Sequence, residues 1–529
     1  MKQAAVGSQH QQSTNALPSV GVIALNRMGF GPRPGDLGAF YDLGSTAEER
    51  LSNYVEQQLH PQDINDSELD GRVTAAGFET LNKSLVQSWQ DHIVNNTQGY
   101  SYRILPYRET ERLTFFRAVY SRRQLVQVLA DFWHNHFNVY GLDYYVAPVF
   151  MHYDREIIRK HLLGNFREML EAVTKSTPML TYLDNYTNSD DGPNENFSRE
   201  LFELQTMGAK NYLGVISQED VPGYPGQPIG YVDDDVYEAA RCFTGWTIRN
   251  SSSDPVIGNT GEFYYRSDWH DRFQKHILGT KVDADQADLV DGQQVLDLLT
   301  DHPGTASHIA EKLCRRFISD NPPQSIVDST AELFYAQRHS PSQLKKVMRH
   351  LLNSVEFRTT WGAKTKRPFE VIVSACRACA IDFTFSVSDG DSSTFFWLYD
   401  QIGQPLFGRR PPDGYPDKKE NWLNTSTMVS RWQLLNWLIT VEDDLGNLRI
   451  DVVGQTPANV RSSIALVDFW LNRILGRSID PAERQHLIDF MAQGHNPNLD
   501  LPLDSDENIQ TRLGSMVGLI LLSPEFQWR

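Results

Sequence analysis

The chain has 529 residues, of which 67 are acidic and 49 basic, giving a formal net charge of −18. That surplus repels a phosphate backbone and argues against broad nucleic-acid binding unless a local basic patch intervenes. Hydrophobic content of 40% and charged content of 22% belong to a globular chain and not a disordered one, and a sequence this long is expected to form more than one lobe.

The first twenty residues, "MKQAAVGSQHQQSTNALPSV", are polar and lack the apolar centre of a secretory signal, so they read as a disordered lead-in. No apolar run approaches the roughly 20 residues that span a bilayer, and no transmembrane segment is expected. Spacings of three and four then dominate. "STAEERLSNYVEQQL" starts a helix at the Ser45–Thr46 cap with Glu48 and Glu49 in its first turn. "RETERLTFFRAVYS", "SRRQLVQVLADFWHNHF", "YDREIIRKHLLGNFREMLEAVTKS" and "NENFSRELFELQTMG" continue the pattern, as do "TASHIAEKLCRRFI", "PSQLKKVMRHLLNS" and "RPFEVIVSACRACAI". "TSTMVSRWQLLNWLITVEDDL", "VRSSIALVDFWLNRIL" and "DPAERQHLIDFMAQG" carry it to the last third. Strand-like material is confined to "GEFYYRS" and a "GYV" near residue 230. The predicted fold is mainly α, a large multi-helix globular protein with long loops and little β. Residues 21–390 are expected to form a main helical domain and 391–529 a carboxy-terminal helical lobe packed on it.

Segments 208–232, 249–268 and 403–424 are rich in Gly, Pro, Ser and Asp and read as long loops, which in compact domains tend to cover or furnish a site. Cys376 and Cys379 form a CxxC in an apolar helical context. With no second CxxC, they read as buried small residues rather than a redox or zinc site.

Four clusters carry the chemistry. In "DFWHNHFNVY", His136 falls in the apolar stripe of a helix with Leu125, Leu129 and Phe132, while His134 points away and reads as a surface histidine. Two histidines at i and i+2 cannot share one metal from a regular helix. In "GPNENFSRELFELQTMG", Asn196, Arg199, Glu200 and Glu203 share one face. They form either a solvated ion-paired face with Arg199 bound to Glu203, or a carboxylate pair for acid–base work or a metal. "YVDDDVYEAARCFTGWTI" supplies Asp235, Glu238, Arg241 and Trp246, and "WHDRFQKHILGT" supplies Trp269, His270 and Asp271. There is no Gly-rich phosphate cradle, no GxSxG and no HExxH, so nucleotide-dependent and serine-hydrolase readings have no support.

Taken in order, "NRMGFGPRPGDL", "FWHNHFNV", "NENFSRELFELQTMG", "DVYEAARCFTGW", "HDRFQKHILG", "HPGTASHIAEKLCRRF", "KRPFEVIVSACRA", "GQPLFGRRPPDGYP" and "LLSPEFQWR" resemble the bacterial family called domain of unknown function 1800, from about residue 20 to the end. The resemblance implies a large, mostly helical bacterial protein, often exported to the periplasm or beyond. It also implies a companion of the sulfatase-like domain of unknown function 1501 family. It assigns no reaction.

Two functions are therefore expected to compete. In the first, the chain is a hydrolase or related transferase acting on an envelope or extracellular polymer such as a polysaccharide. Glu200, Glu203, His136 and His270 are then the catalytic candidates, and a divalent metal is the cofactor to consider. Asn196, Arg199, Arg241, Trp246 and Asp271 would bind substrate, with Trp133, Trp246 and Trp269 stacking on sugar rings. In the second, the chain is a non-catalytic envelope assembly or binding protein, and the same charges lock helices together in salt-bridge networks.

Overall fold

The computed structural model describes residues 17–388, 390–441 and 449–529. The lead-in expected at the amino terminus lies, as far as residue 16, outside the described residues, and Val20 already opens a helix capped by Ser19. The architecture is mainly α. Strand pairing among the described residues is limited to two antiparallel two-stranded sheets. The first joins Trp246–Asn250 to Asn259–Tyr265, so the loop expected over 249–268 contains the turn and the second strand of a hairpin. The second joins Lys275–Ile277 to Thr280–Val282. The "GYV" near 230 contributes one isolated bridge, from Tyr231 to Tyr212.

Several long helical stretches are broken where the sequence supplies a competing local interaction. The stretch predicted as one helix over 153–176 stops near Gly164, and the Asn165 side chain then accepts the Arg167 amide at 2.8 Å to start the Phe166–Thr174 helix. One continuous apolar core runs from Ile23 to Phe526 and crosses the boundary expected at residue 390. Cys376 and Cys379 lie in it as buried free thiols of the Pro368–Ala378 helix.

At the centre of this core lies an ionic cluster. Arg316, on the Pro303–Phe317 helix, and Arg529 both reach Glu370, Arg529 at 3.1 Å. Arg367 and Arg316 share Asp131, on the Gln124–His136 helix. Burial alone drives the Glu370 carboxyl upward, but the guanidiniums of Arg316, Arg529 and Arg367 outweigh it and hold the group well below the usual carboxylate range. Glu370→Gln would leave Arg316 and Arg529 buried without their counter-charge. Removing one partner of such a set costs about 3–5 kcal/mol, so a marked fall in the urea midpoint is expected, and an unchanged midpoint would refute this role for the cluster.

Candidate functional site

The site is built where the histidine helix, Gln124–His136, meets the irregular segment 403–417. That segment lies across the end of the helix as a strap, gripped by two amide side chains. Asn135 donates to the Tyr415 carbonyl at 2.8 Å and accepts the Tyr415 amide at 2.6 Å. Asn138 donates to the carbonyls of Arg409 and Pro411 at 3.0 and 2.8 Å. Gly414 sits at φ +72°, and a Cβ there would collide with the Asn135 carbonyl, so this crossing requires glycine. The Tyr182 hydroxyl donates to the Arg410 carbonyl.

Beneath the strap, the Glu195–Glu200 helix widens into a π-turn over Leu201–Gln205 and then ends at Thr206. A turn that ends here leaves the carbonyls of Leu204 and Gln205 without helical donors. Two imidazoles meet them: His308 Nε2 donates to Leu204 O at 3.2 Å, and His136 Nε2 donates to Gln205 O at 3.1 Å. These bonds place the proton of each ring on Nε2. Burial, with Lys312 and His308 adding, holds His136 far below the ordinary histidine value. Its Nδ1 is buried with no partner. Lys312, one turn beyond His308, is pushed down to about 8 by burial, although Asp417 pulls the other way. A small cavity of about 40 Å³ lies among His136, Lys312, Arg316, Arg367 and Asp417.

On the outer side of the same π-turn sit Glu200 and Glu203. Both are partly buried, and neither carboxylate has a hydrogen bond or ion pair among the described residues. Burial raises Glu200 above the usual carboxyl range, and the neighbouring charges of Glu203 and Asp413 raise it further, partly offset by Arg199. Tyr182 and Tyr231 complete the surroundings. Burial raises both phenols, and the field of Glu200 reaches each of them. Arg199 does not bind Glu203 as the spacing suggested: it pairs with Glu195 at 3.2 Å and with Asp233 at 3.2 Å. Asn196 is exposed and donates to the Leu183 carbonyl at 3.3 Å.

A family model described as Protein of unknown function (DUF1800) matches residues 23–528. The chain belongs to that family. No curated protein and no solved structure matches it. Four of the DUF1800 landmarks recognised in the sequence, "FWHNHFNV", "NENFSRELFELQTMG", "HPGTASHIAEKLCRRF" and "GQPLFGRRPPDGYP", thus meet in space at the histidine helix, the π-turn and the strap.

The remaining predicted residues of this DUF1800 chain fall into separate networks. His270 is held between the Thr244 carbonyl at 3.0 Å and Asp291 at 3.2 Å. Arg241 is saturated by Asp271 at 2.7 Å and Glu238 at 2.8 Å, and Glu238 in turn accepts the His276 amide at 3.0 Å. Asp235 accepts the amides of Val232 and Leu278, at 2.9 and 2.7 Å. This second network pins the Lys275–Val282 hairpin to the Asp233–Cys242 helix. Its ionic groups are engaged with one another, whereas Glu200 and Glu203 are open.

Three expectations are corrected. His134 is not a surface residue: it is 7% exposed and donates to Asp154 at 2.9 Å. Asp154, itself fully buried, also takes Arg117 at 2.7 Å and Arg159 at 2.8 Å. Trp246 is fully buried against Phe243 and Phe263 and has no face to offer a sugar. Trp133 is buried in the same way, between Phe132 and Phe137. Among the described residues no group of three or more His, Cys, Asp or Glu stands where it could hold a metal ion. Sequence reasoning missed His308, Lys312, Tyr182, Tyr231 and Asp413. The spacing of His308 and Lys312 at i and i+4 in "HIAEKL" was the available signal for the first two.

Burial lowers His308 from 6.5 to about 4. Between those values the unfolded chain binds more protons than the folded one, so stability present above pH 6.5 is lost as pH falls toward 4. His308→Gln should flatten that acid limb, read as the melting temperature against pH. A limb identical to the parent's would show that His308 does not contribute to it.

Proposed function

We propose that the chain is a hydrolase-type enzyme, or a related transferase, acting on an envelope or extracellular polymer such as a polysaccharide. Glu200 is its general acid and Glu203 the second carboxylate of the pair. One observation carries this reading. Of the predicted site residues that carry formal charge, Arg199, Arg241 and Asp271 are ion-paired, while Glu200 and Glu203 have no partner among the described residues. Burial and the adjacent charge of Glu203 raise Glu200 above the usual carboxyl range, which makes it the better placed of the two to carry a proton to a leaving group. The other remains available as a base or a stabilising charge. His136 and His308 act as positioning residues, because they hold the carbonyls of the turn that presents the pair. The polymer class comes from the family resemblance and from the polar, tyrosine-flanked setting.

A second reading has its own support. The buried networks at Glu370, Asp154 and Arg241 lock distant helices together, as a non-catalytic assembly protein working with a sulfatase-like companion would require. Turnover separates the two readings.

In a screen of envelope polysaccharides, Glu200→Gln is expected to lower turnover by about 10²–10⁴-fold, with a melting temperature no lower than the parent's. Because the folded value of Glu200 is raised, its ionisation costs stability as pH rises, and the amide removes that cost. Glu203→Gln removes a like charge, so Glu200 should release its proton at lower pH. The alkaline limb of the residual pH–rate profile should move the same way. Parent-like turnover in Glu200→Gln would reject the acid assignment and favour the assembly reading.

A further inference from the structure

A second cleft lies away from the acid pair. It lies between the Asp36–Tyr41 and Ala47–Leu59 helices and the corner at Ser121–Arg122, with a volume of about 600 Å³. That is within the range of small-molecule sites. We propose that this cleft binds a short, uncharged, polyhydroxylated ligand, a neutral oligosaccharide segment. The inference stands on the cleft alone and not on the acid pair.

Three features point to that chemistry. The first is charge balance. Arg33, Arg122 and Arg377 line the cleft together with Asp36, Asp63 and Glu68, three cations against three anions, so it has no net charge with which to select an ion. The second is that most of the wall is already fixed. Arg33 is held by Glu68 at 3.0 Å and the Tyr120 carbonyl at 3.3 Å, and Asp36 by Arg377 at 3.0 Å. Gln58 donates to the Arg122 carbonyl at 3.0 Å and accepts the Leu125 amide at 3.1 Å. A wall held in this way loses little entropy when a ligand arrives.

The third feature is what remains open. The Tyr54 hydroxyl, the Gln57 amide and the Arg122 guanidinium face the cleft with no hydrogen-bond partner among the described residues, although Tyr54 is only 7% exposed. Burial, with Asp36 adding, raises the Tyr54 phenol, so it stays a neutral hydroxyl. Together they offer a hydroxyl and an amide that both donate and accept, and a guanidinium that donates in a fork which two vicinal hydroxyl oxygens can accept. The exposed Pro34 and Ala39 and the half-buried Leu43 line the same cleft and give it an apolar surface for the C–H face of a sugar.

The test is isothermal titration of the full chain with maltotriose, cellotriose and triacetylchitotriose, alongside the anionic trigalacturonate and the cationic chitotriose. At least one neutral trimer is expected to bind, and more tightly than either charged one. Arg122→Ala combined with Gln57→Ala should weaken that binding on the order of tenfold, and Tyr54→Phe by a few-fold. Gln57 and Arg122 are exposed, so the double variant should keep the parent's melting temperature. Glu200→Gln should bind as the parent does. Binding by no neutral trimer, tighter and salt-dependent binding of a charged trimer, or parent-like affinity in the double variant would each overturn the inference. Loss of binding in Glu200→Gln alone would move the ligand to the acid pair and overturn this location.

Discussion

Guanidinium–carboxylate matching in the interior is the constraint on which the rest of the structure depends. Asp131, Arg316, Arg367, Glu370 and Arg529 come from segments far apart in the chain, and they meet where almost no water reaches. Each charge loses its hydration there, and only the mutual geometry returns the cost. That requirement fixes how the Gln124–His136, Pro303–Phe317 and Pro368–Ala378 helices approach one another. The same approach sets His136 and His308 at the height of the π-turn. Asp154 repeats the device on the other side of the histidine helix, with His134, Arg117 and Arg159 around it.

The site and the framework are thus distinguished by satisfaction. Groups that join helices are ion-paired; Arg241 reaches two carboxylates and a backbone carbonyl. Among the described residues Glu200 and Glu203 have no such partner, at a turn whose geometry is held by the imidazoles of His136 and His308 behind it. A carboxyl pair left open on so tightly held a turn is costly to keep unless the open groups are used.

Much of the architecture was legible from periodicity. The apolar stripe placed His136 inward, and His136 is buried beside Phe132 with a backbone partner. The same reasoning failed for His134, because its partner Asp154 lies twenty residues on and helical phase carries no information about a neighbouring helix. Trp246 could not be separated from a sugar platform by sequence, since exposure is decided by the hairpin that folds over it. The open state of Glu203 was hidden for a related reason. A regular helix would set it beside Arg199, whereas the π-turn begins between them and Arg199 turns to Asp233. Strap and helix showed only as "GQPLFGRRPPDGYP" and "HNHFN", with nothing local to say that the asparagines of one grip the backbone of the other.

That grip has a consequence for variation. Asn135 and Asn138 read main-chain atoms of the strap, the Gly414 crossing demands glycine, and Gln404 and Asp417 fix the strap's two ends through their side chains. The side chains of Arg409, Arg410 and Asp413 are therefore free to change without loosening the anchorage. A single rigid frame could carry many different rims beside the same acidic turn, exchanged one loop at a time.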